Sequence, residues 1–418
     1  MKIAIIGLGY VGLPLALALS KSNEVIGFDI DVRRIDELKR KSDKTGEVSS
    51  KELSISKISF TSTPDDLSFA EIFIIAVPTP VDNNNDPDLT ALYSATQTVG
   101  RHIEKGSVVI YESTVWPGVT EEICGPILEE SSNLKCGKDF FLGYSPERIN
   151  PGDSEHTVDR ITKVVSGQNS KVAQTISEIY SGITSGGIHI APNIKTAEAA
   201  KAIENAQRDI NIAFINEIAQ ICQKLEISTF DVLEAAKTKW NFLDFQPGLV
   251  GGHCIGVDPY YLAHCARKLG HEPAVVLTGR QVNDSMGTYI ANQISDNLKA
   301  KSKILILGFT FKEDVPDIRN SQVIDIVFRL RESNHTVIVH DPYACNEEAQ
   351  SIYDITLEKT LTFQSKFDCV LCCVSHSDYR KINSTTLEGL LKEDGLLGDV
   401  KGIWRNLSLK DSIRRWAL

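Results

Sequence analysis

The first thirty residues, MKIAIIGLGYVGLPLALALSKSNEVIGFDI (residues 1–30), decide the fold of the first part of this 418-residue chain. A short apolar run precedes Gly7, Gly9 and Gly12, and a stretch rich in leucine and alanine, which favours a helix, follows them. A second apolar run then ends at Asp29, at the spacing typical of a βαβ dinucleotide-binding fingerprint. The sequence therefore predicts that the chain opens with a nucleotide-binding α/β fold.

Each glycine of this turn has its own physical task. The first allows a tight turn, the second lets the backbone approach a pyrophosphate, and the third lets the helix pack closely on the strand. Free N–H groups at the helix N-terminus would then face the phosphates. The residues of the turn that we expect to contact the cofactor are Gly7, Gly9, Tyr10, Val11 and Gly12.

Asp29 indicates which dinucleotide binds. Its carboxylate can accept hydrogen bonds from a ribose 2′-hydroxyl and would repel a 2′-phosphate, which favours NAD over NADP. Arg33 and Arg34 lie close by and act against that preference, and Arg34 is a further candidate for cofactor binding.

Two threonines follow later apolar runs that predict strands. Ligands of open α/β sheets bind at the carboxyl ends of the strands, where both threonines would lie. We predict that Thr79 contacts the cofactor and that Thr114 contacts the cofactor, the substrate or a catalytic water.

Composition limits the class of protein. A hydrophobic content of 42% supports full cores, and no apolar run approaches the length of a membrane span. A net charge of −11 argues against general nucleic-acid binding, which needs clustered basic residues. The first residues favour a strand over a signal peptide, and nine cysteines without a regular framework favour a reduced, cytoplasmic protein.

One cysteine pattern could suggest a metal site. Cys369 and Cys372 form a CxxC, but they lie in the apolar run of residues 367–374. A buried strand is the better interpretation of that run, and we expect no metal.

The apolar pattern changes twice along the chain. Short apolar runs alternate with helical stretches up to about residue 190, which is typical of a doubly wound parallel sheet. From Thr196 to about Ile227 there is no glycine or proline, which predicts a helix of about thirty residues, far above the mean length. A second α/β pattern begins at Lys303 without the glycine fingerprint. The predicted domains are 1–192 (nucleotide-binding), 193–298 (central, helical) and 299–418 (second α/β domain).

Seven segments in order carry a resemblance to a known family. They are GLGYVGLPLA, AVPTP, ESTVWPG, SPERINPGD, KAIENAQRD, GGHCIGVDP and GFTFKEDVPDIR. Together they span nearly the whole chain, which resembles the UDP-glucose/GDP-mannose dehydrogenase family, whose members oxidise C6 of a nucleotide sugar to a carboxylate. The resemblance implies an α/β fold of two Rossmann-like, doubly wound parallel-sheet domains joined by a long-helix central domain. It also implies NAD as cofactor, a homodimer through the long helix and a C-terminal domain that binds UDP.

The resemblance further implies a covalent mechanism. Oxidising an alcohol to an acid takes two hydride transfers, and Cys254 would hold the intermediate aldehyde as a thiohemiacetal and then a thioester. Asp258 and Glu147 match the family's acid/base groups. Lys201 and Asn205, four residues apart and so on one helix face, match the groups that stabilise negative charge at the C6 oxygen.

Further site residues follow from the same motifs. Thr114 joins the catalytic candidates, and Arg280 is a candidate for reaching a substrate across a dimer. The residues expected to contact the nucleotide sugar are Glu147, Arg148, Asn150, Lys201, Asn205, Gly251, Lys312 and Arg319.

Departures from the UDP-glucose members indicate the sugar. Those members commonly have PEFL and then an acidic residue, whereas Glu147 is followed here by RINP; they also commonly have Pro-Lys before the aspartate, whereas residues 255–257 read IGV. The forms ERINPGD, GGHCIGVDPYY and KTGE (residues 44–47) are more similar to the branch acting on UDP-N-acetylhexosamines. We predict oxidation of UDP-N-acetylglucosamine or UDP-N-acetylgalactosamine, which the sequence does not distinguish. UDP-N-acetylmannosamine and UDP-glucose remain alternatives, as does a nucleotide-sugar-binding protein without catalysis.

Overall fold

The computed structural model describes residues 1–82, 84–148, 159–252, 255–362 and 365–418. These residues form two compact units. The first unit consists of Met1–Glu204 and Tyr260–Glu272, and the second of Asn205–Pro259 and Pro273–Leu418. In the described parts of the chain, no helix has the length and apolar character needed to span a membrane.

Eight strands of the first unit form one sheet. They are β1 (Lys2–Ile6), β2 (Glu24–Phe28), β3 (Ser59–Thr61), β4 (Ile72–Ile75), β5 (Val108–Tyr111), β6 (Phe141–Tyr144), β7 (Lys163–Gly167) and β8 (Ile188–Ile190). Their order is β3-β2-β1-β4-β5-β6-β7-β8. Neighbouring strands are parallel except β6 and β7, which are antiparallel. The doubly wound arrangement is therefore as predicted for β1 to β6, whereas β7 and β8 run in the opposite direction.

Helices cover this sheet. They are α1 (Gly12–Leu19), α2 (Val32–Lys39), α3 (Ser50–Ile55), α4 (Thr90–Gly100), α5 (Gly125–Ser132) and α6 (Ser170–Ser181), with a 3-10 turn at Pro64–Phe69 and a π-helical turn at Thr120–Cys124. The apolar spacing of α6 illustrates the packing. Val172, Ile176, Ile179 and Tyr180 lie on one face of the helix and share a buried core with Val165 of β7.

The long helix predicted in the middle of the chain is present as α7 (Ile194–Lys224), which has 31 residues. It begins in the first unit and ends in the second. Three shorter helices follow it, α8 (Thr229–Lys237), α9 (Asp258–Lys268) and α10 (Ala274–Asp296).

A six-stranded, wholly parallel sheet forms the α/β part of the second unit. In chain order its elements are β9 (Lys303–Leu307), α11 (Val323–Glu332), β10 (Thr336–His340), α12 (Asn346–Tyr353), β11 (Leu357–Glu358), β12 (Phe367–Cys372), α13 (Ser377–Arg380), α14 (Ser384–Leu390), β13 (Leu391–Asp399) and β14 (Arg414–Ala417). The strand order is β11-β10-β9-β12-β13-β14. Cys369 and Cys372 are buried on β12, as the apolar run predicts.

The turn after the first strand is similar in the two sheets. Gly7 has φ +91° and donates its N–H to Phe28 O (2.9 Å), and Gly308 has φ +92° and donates to His340 O (2.9 Å). Both turns therefore place a left-handed residue, which favours glycine, at the carboxyl edge of a parallel sheet.

Candidate active site

The Gly-rich turn (residues 7–12) leaves space for a ligand at one position only. A Cβ on Gly7 would lie 2.8 Å from Ala76 O, and a Cβ on Gly12 would lie 1.8 Å from Gly7 O, so the fold itself requires these two glycines. A Cβ on Gly9 would meet no protein atom within 4 Å. Packing within the protein therefore does not require a glycine at position 9. The absence of a side chain there instead fits the close approach of a pyrophosphate to the start of α1.

Asp29, at the end of β2, is fixed beside this turn. Its carboxylate oxygens accept hydrogen bonds from the backbone N–H groups of Leu8 and Asp31, both at 2.9 Å. The acidic group predicted to read the ribose is thus held at the carboxyl edge of the sheet, next to the predicted pyrophosphate position.

Arg34 is buried, and its guanidinium binds protein groups. Its Nε donates to Leu8 O (2.9 Å), and its second terminal nitrogen donates to Asp43 (2.7 Å). Asp43 in turn accepts the backbone N–H groups of Thr45, Glu47 and Val48 at 3.0–3.1 Å. Arg34 therefore connects the Gly-rich turn to the segment of residues 43–48, and its contact with the cofactor remains a prediction.

The two threonines predicted at strand ends lie together. The Thr79 hydroxyl donates to Thr114 O at 2.7 Å, and beside them Ser113 donates its hydroxyl to Val77 O at 2.6 Å. The segments after β4 and β5 are thus joined at the edge of the sheet that carries the Gly-rich turn.

Glu198 of α7 holds the next part of this edge. Its buried carboxylate accepts the N–H groups of Gly118 (2.6 Å) and Thr120 (3.0 Å), in the segment that follows Thr114. Burial raises the pKa of Glu198 to about 7, although these hydrogen bonds act in the opposite direction. Glu198 was not predicted from the sequence. It lies three residues before Lys201 and seven before Asn205, which places it on the same helix face, and this spacing is the signal that could have identified it.

Glu147 belongs to a buried charged cluster. Lys163 donates to Glu147 Oε2 (3.3 Å), to Glu112 Oε2 (2.7 Å) and to Pro146 O (3.2 Å), and Tyr180 donates its hydroxyl to the other oxygen of Glu112. Burial raises the pKa of Glu112 to about 7 against the attraction of Lys163. Burial alone would lower the pKa of Lys163, but the two carboxylates outweigh that effect and raise it. The other three side chains of this cluster, Lys163, Glu112 and Tyr180, were not predicted from the sequence.

Arg148 connects the same segment to α7. Its guanidinium forms two bonds to the Glu204 carboxylate (2.9 and 3.2 Å) and donates to Thr162 O at 3.0 Å. Lys201, also on α7 in the first unit, is buried. Asn150, the remaining sugar candidate of this segment, lies outside the described residues.

In the second unit, two predicted catalytic residues are in contact. Asn205 donates its side-chain amide to Asp258 Oδ2 at 2.5 Å, and Asp258 is buried in the first turn of α9. Asp258 comes four residues after Cys254, which lies outside the described residues.

The start of the cysteine loop (residues 248–257) is held by side-chain amides. Asn216 of α7 accepts the N–H of Gly248 (2.8 Å) and donates to its carbonyl (3.0 Å) and to the Asn283 side chain (2.8 Å). A Cβ on Gly251 would lie 2.5 Å from Asn320 O, so the backbone at Gly251 packs tightly on the segment that follows β9.

That segment carries Lys312 and Arg319. The Arg319 guanidinium is half-exposed and forms two bonds to Asp317, at 2.8 and 2.9 Å. Arg280, by contrast, is buried and paired with Asp209 and Asp284 in the same chain.

Three family models match the chain consecutively. They describe the NAD binding domain (residues 1–184), the central domain (195–285) and the UDP binding domain (305–406) of the UDP-glucose/GDP-mannose dehydrogenase family. The chain belongs to this family. It is an NAD-dependent nucleotide-sugar 6-dehydrogenase with a UDP-binding domain.

Individual relatives and structures agree with the family. "Protein CapL" of Staphylococcus aureus is 50% identical over 423 residues, covering 100% of this chain and 99% of the relative. A UDP-N-acetyl-D-glucosamine 6-dehydrogenase of Pseudomonas aeruginosa is 48% identical over 96% of each chain. The solved structure of a UDP-D-ManNAc dehydrogenase of Pyrococcus horikoshii aligns with a TM-score of 0.89 at 28% identity, covering 99% of each chain.

The space at Gly9 generates a prediction. Gly9→Ala adds a methyl group where no protein atom lies within 4 Å, so we expect its thermal midpoint to match the wild type. The same methyl group would obstruct a pyrophosphate, and we expect NAD to bind about tenfold or more weakly, equivalent to about 1.4 kcal/mol. Isothermal titration calorimetry measures the affinity. Gly389→Ala, another position with no atom within 4 Å, is the matched control, and equal NAD affinity in the two variants would contradict the assignment.

Glu198 generates a prediction about pH. Because its pKa is about 7 in the fold against a usual 4.5, its protonation stabilises the fold below pH 4.5, and this contribution is lost as pH rises to about 7. Glu198→Gln removes the titration. Between about pH 5 and pH 8 we expect the variant to lose less stability than the wild type, by up to about 3 kcal/mol. Thermal midpoints measured across this range test the effect.

The matched control is Glu130→Gln, which changes an exposed glutamate of α5. Its stability should follow the wild-type curve. A curve for Glu198→Gln parallel to the wild type would show that Glu198 does not titrate in this range.

Proposed function

We propose that the protein oxidises C6 of a UDP-N-acetylhexosamine, UDP-N-acetylglucosamine or UDP-N-acetylgalactosamine, to the uronic acid. The observation that carries this proposal is the similarity to the Pseudomonas relative, which is named for UDP-N-acetyl-D-glucosamine and is far more similar than the Pyrococcus UDP-D-ManNAc enzyme. The ERINPGD segment of this chain also favours the hexosamine branch over UDP-glucose.

Cys254 is the proposed nucleophile. NAD, when bound, accepts the hydride that leaves C6 in each of the two oxidations. After the first oxidation, the Cys254 thiolate attacks the aldehyde carbon, a C–S bond forms and the carbonyl oxygen takes up a proton, which gives a thiohemiacetal. The thiohemiacetal keeps the aldehyde from being released. In the second oxidation the same carbon loses a hydride and its hydroxyl group loses a proton, which leaves the carbon bound to sulfur as a thioester.

Hydrolysis then completes the reaction. Water attacks the thioester carbon, a C–O bond forms, the C–S bond breaks and Cys254 leaves as the thiolate. Glu147 accepts the proton of the attacking water in this scheme, and Thr114 helps to place that water. Asp258, four residues after Cys254 in the sequence, acts as an acid/base group, and the Asn205–Asp258 hydrogen bond supports its fixed position.

Binding roles are proposed for the other candidates. Lys201 and Asn205 stabilise negative charge at the C6 oxygen. Arg148, Asn150 and Gly251 contact the sugar. Lys312 and Arg319 contact the nucleotide, which the exposure of the Arg319 guanidinium supports.

A homodimer through α7 is also proposed. Phe214, Ile221 and Leu225 are 57%, 46% and 62% exposed and lie seven and four residues apart, which places them on one face of the helix. A second copy of this chain would bury such an apolar stripe in a symmetric contact.

We further propose that the enzyme is cytoplasmic and that its uronic acid product is a precursor of surface polysaccharide.

The number of NADH molecules formed per sugar tests the reaction. With UDP-N-acetylglucosamine or UDP-N-acetylgalactosamine, we expect two NADH per sugar consumed and an acid product identified by mass spectrometry. Two NADH with UDP-glucose or UDP-N-acetylmannosamine alone would transfer the proposal to that sugar. One NADH with released aldehyde would contradict the four-electron oxidation.

A cysteine variant completes this experiment. Cys254→Ser should lower the rate of acid formation by about 10²-fold or more, because a hydroxyl is a poor replacement for a thiolate, while UDP-sugar binding is retained. Cys345→Ser, at a partly exposed free cysteine of the second unit, should have wild-type activity. Unchanged turnover in Cys254→Ser would contradict the thioester scheme.

The dimer has its own test. Phe214→Asp places a charge in the apolar stripe of α7 and should shift the protein from dimer to monomer in sedimentation velocity runs at micromolar concentration. Ile352→Asp changes a similarly exposed isoleucine of α12 and should leave the dimer intact. A wild-type monomer, or an unaltered Phe214→Asp dimer, would contradict the use of this face.

A further inference from the structure

Lys163 is the least exposed charged group in contact with Glu147. Only 1% of its surface is accessible, and the proposed reaction steps do not use it. We propose that Lys163 is a positioning residue for the hydrolysis step, which holds the Glu147 carboxylate in place and faces it with a positive charge. This inference rests on the proposed function and deepens it.

The hydrogen bonds of Lys163 account for all of its donors. An ammonium group has three N–H bonds, and the three acceptors are Glu112, Glu147 and the carbonyl of Pro146. Lys163 therefore binds the Glu147 side chain and the peptide group that precedes Glu147.

Both oxygens of Glu147 are bound. Oε2 accepts from Lys163 at 3.3 Å, and Oε1 accepts the N–H of Arg148 at 2.6 Å. A carboxylate fixed at both oxygens has little rotational freedom, and a general base is effective only when it lies within hydrogen-bond reach of the proton that it abstracts. Loss of Lys163 would release the constraint on Oε2.

Glu112 and Tyr180 also fix Lys163. Glu112 accepts from Lys163 through one oxygen and from the Tyr180 hydroxyl through the other. Burial raises the pKa of Glu112 to about 7 although the attraction of Lys163 lowers it. Glu112 and Glu147 both raise the pKa of Lys163, so Lys163 faces Glu147 as a cation.

A contribution to stability does not explain why Lys163 is buried with Glu112 and Glu147. Removing an ammonium group and two carboxylates from water costs several kcal/mol per ion, and apolar residues of similar volume often stabilise a fold as well or better. A buried lysine between two carboxylates is better explained by the orientation that it imposes on Glu147.

The same strand provides a matched control. Ser166, three residues after Lys163 on β7, points to the opposite face of the sheet. It is fully buried, and its hydroxyl donates to Tyr144 O at 2.9 Å. Ser166→Ala therefore removes a buried hydrogen bond from β7 without changing any group that contacts Glu147.

The test measures thioester hydrolysis directly. The full-length Lys163→Met variant is mixed with NAD and the UDP-sugar that the wild type oxidises, and the reaction is quenched in acid. The mass of the intact protein is then measured by mass spectrometry. We expect hydrolysis and kcat to fall by about 10²-fold, a typical general-base contribution, with KM within about threefold of the wild type. The covalent sugar adduct should then accumulate on the enzyme, whereas Ser166→Ala should show no accumulation.

A double-mutant cycle separates positioning from a general structural effect. If Lys163 acts through Glu147, Lys163→Met should slow hydrolysis by no more than about threefold in a Glu147→Gln background. An equal loss in both backgrounds, or unchanged hydrolysis in Lys163→Met alone, would overturn the proposal. A wild type that forms no acid would instead contradict the proposed function itself.

A second variant covers a folding failure of Lys163→Met. Tyr180→Phe removes only the hydroxyl that donates to Glu112, so Lys163 loses its support but keeps its charge. We expect hydrolysis to slow by about threefold to tenfold at unchanged KM. Unchanged hydrolysis in a folded Tyr180→Phe enzyme would overturn the proposal.

Discussion

The structure depends on polar side chains that α7 buries. A buried polar group without a partner costs several kcal/mol, so each of these side chains must be satisfied by other parts of the protein. In the first unit, Glu198 is satisfied by N–H groups of the segment after Thr114. In the second unit, the buried Asn216 is satisfied by the backbone of Gly248, and the half-buried Asn205 donates to Asp258. These partners belong to segments that carry candidate catalytic residues, so within each unit α7 fixes such a segment by satisfying its own polar groups.

Local pattern was sufficient to predict most of the fold but not the direction of every strand. The Gly-rich turn, the 31-residue α7 and the buried β12 follow from glycine spacing, the absence of helix breakers and an apolar run. The antiparallel direction of β7 could not be predicted, because a strand buried on both faces has the same apolar composition in either direction. The strands β3 and β8 have only three residues each, too few for a periodic signal.

The site divides along the same line. Asp29, Asn205 and Asp258 could be named as candidates from the sequence because each lies within a motif whose spacing is local. Glu112, Lys163 and Tyr180 were not predicted. Lys163 and Tyr180 lie 51 and 68 residues after Glu112 in the sequence, and they meet it only through the pairing of strands and the packing of α6. A charged residue next to an apolar run is ordinarily interpreted as the exposed end of a strand, and only the structure shows that Lys163 is buried.

The buried carboxyl groups of this protein hold neighbouring segments in fixed positions, and they make the fold less stable at high pH. Burial raises the pKa of Glu112 and Glu198 to about 7 and that of Asp209 to about 6. A carboxyl group with a raised pKa stabilises the fold when protonated and ceases to do so as pH rises through that pKa. Sequences rarely keep such groups where an apolar residue would pack as well, unless the groups hold functional segments in place. Here Glu112 supports the Lys163–Glu147 pair, and Glu198 holds the segment after Thr114. The carboxyl groups that make the fold less stable as pH rises are thus the groups that hold the proposed catalytic segments in place.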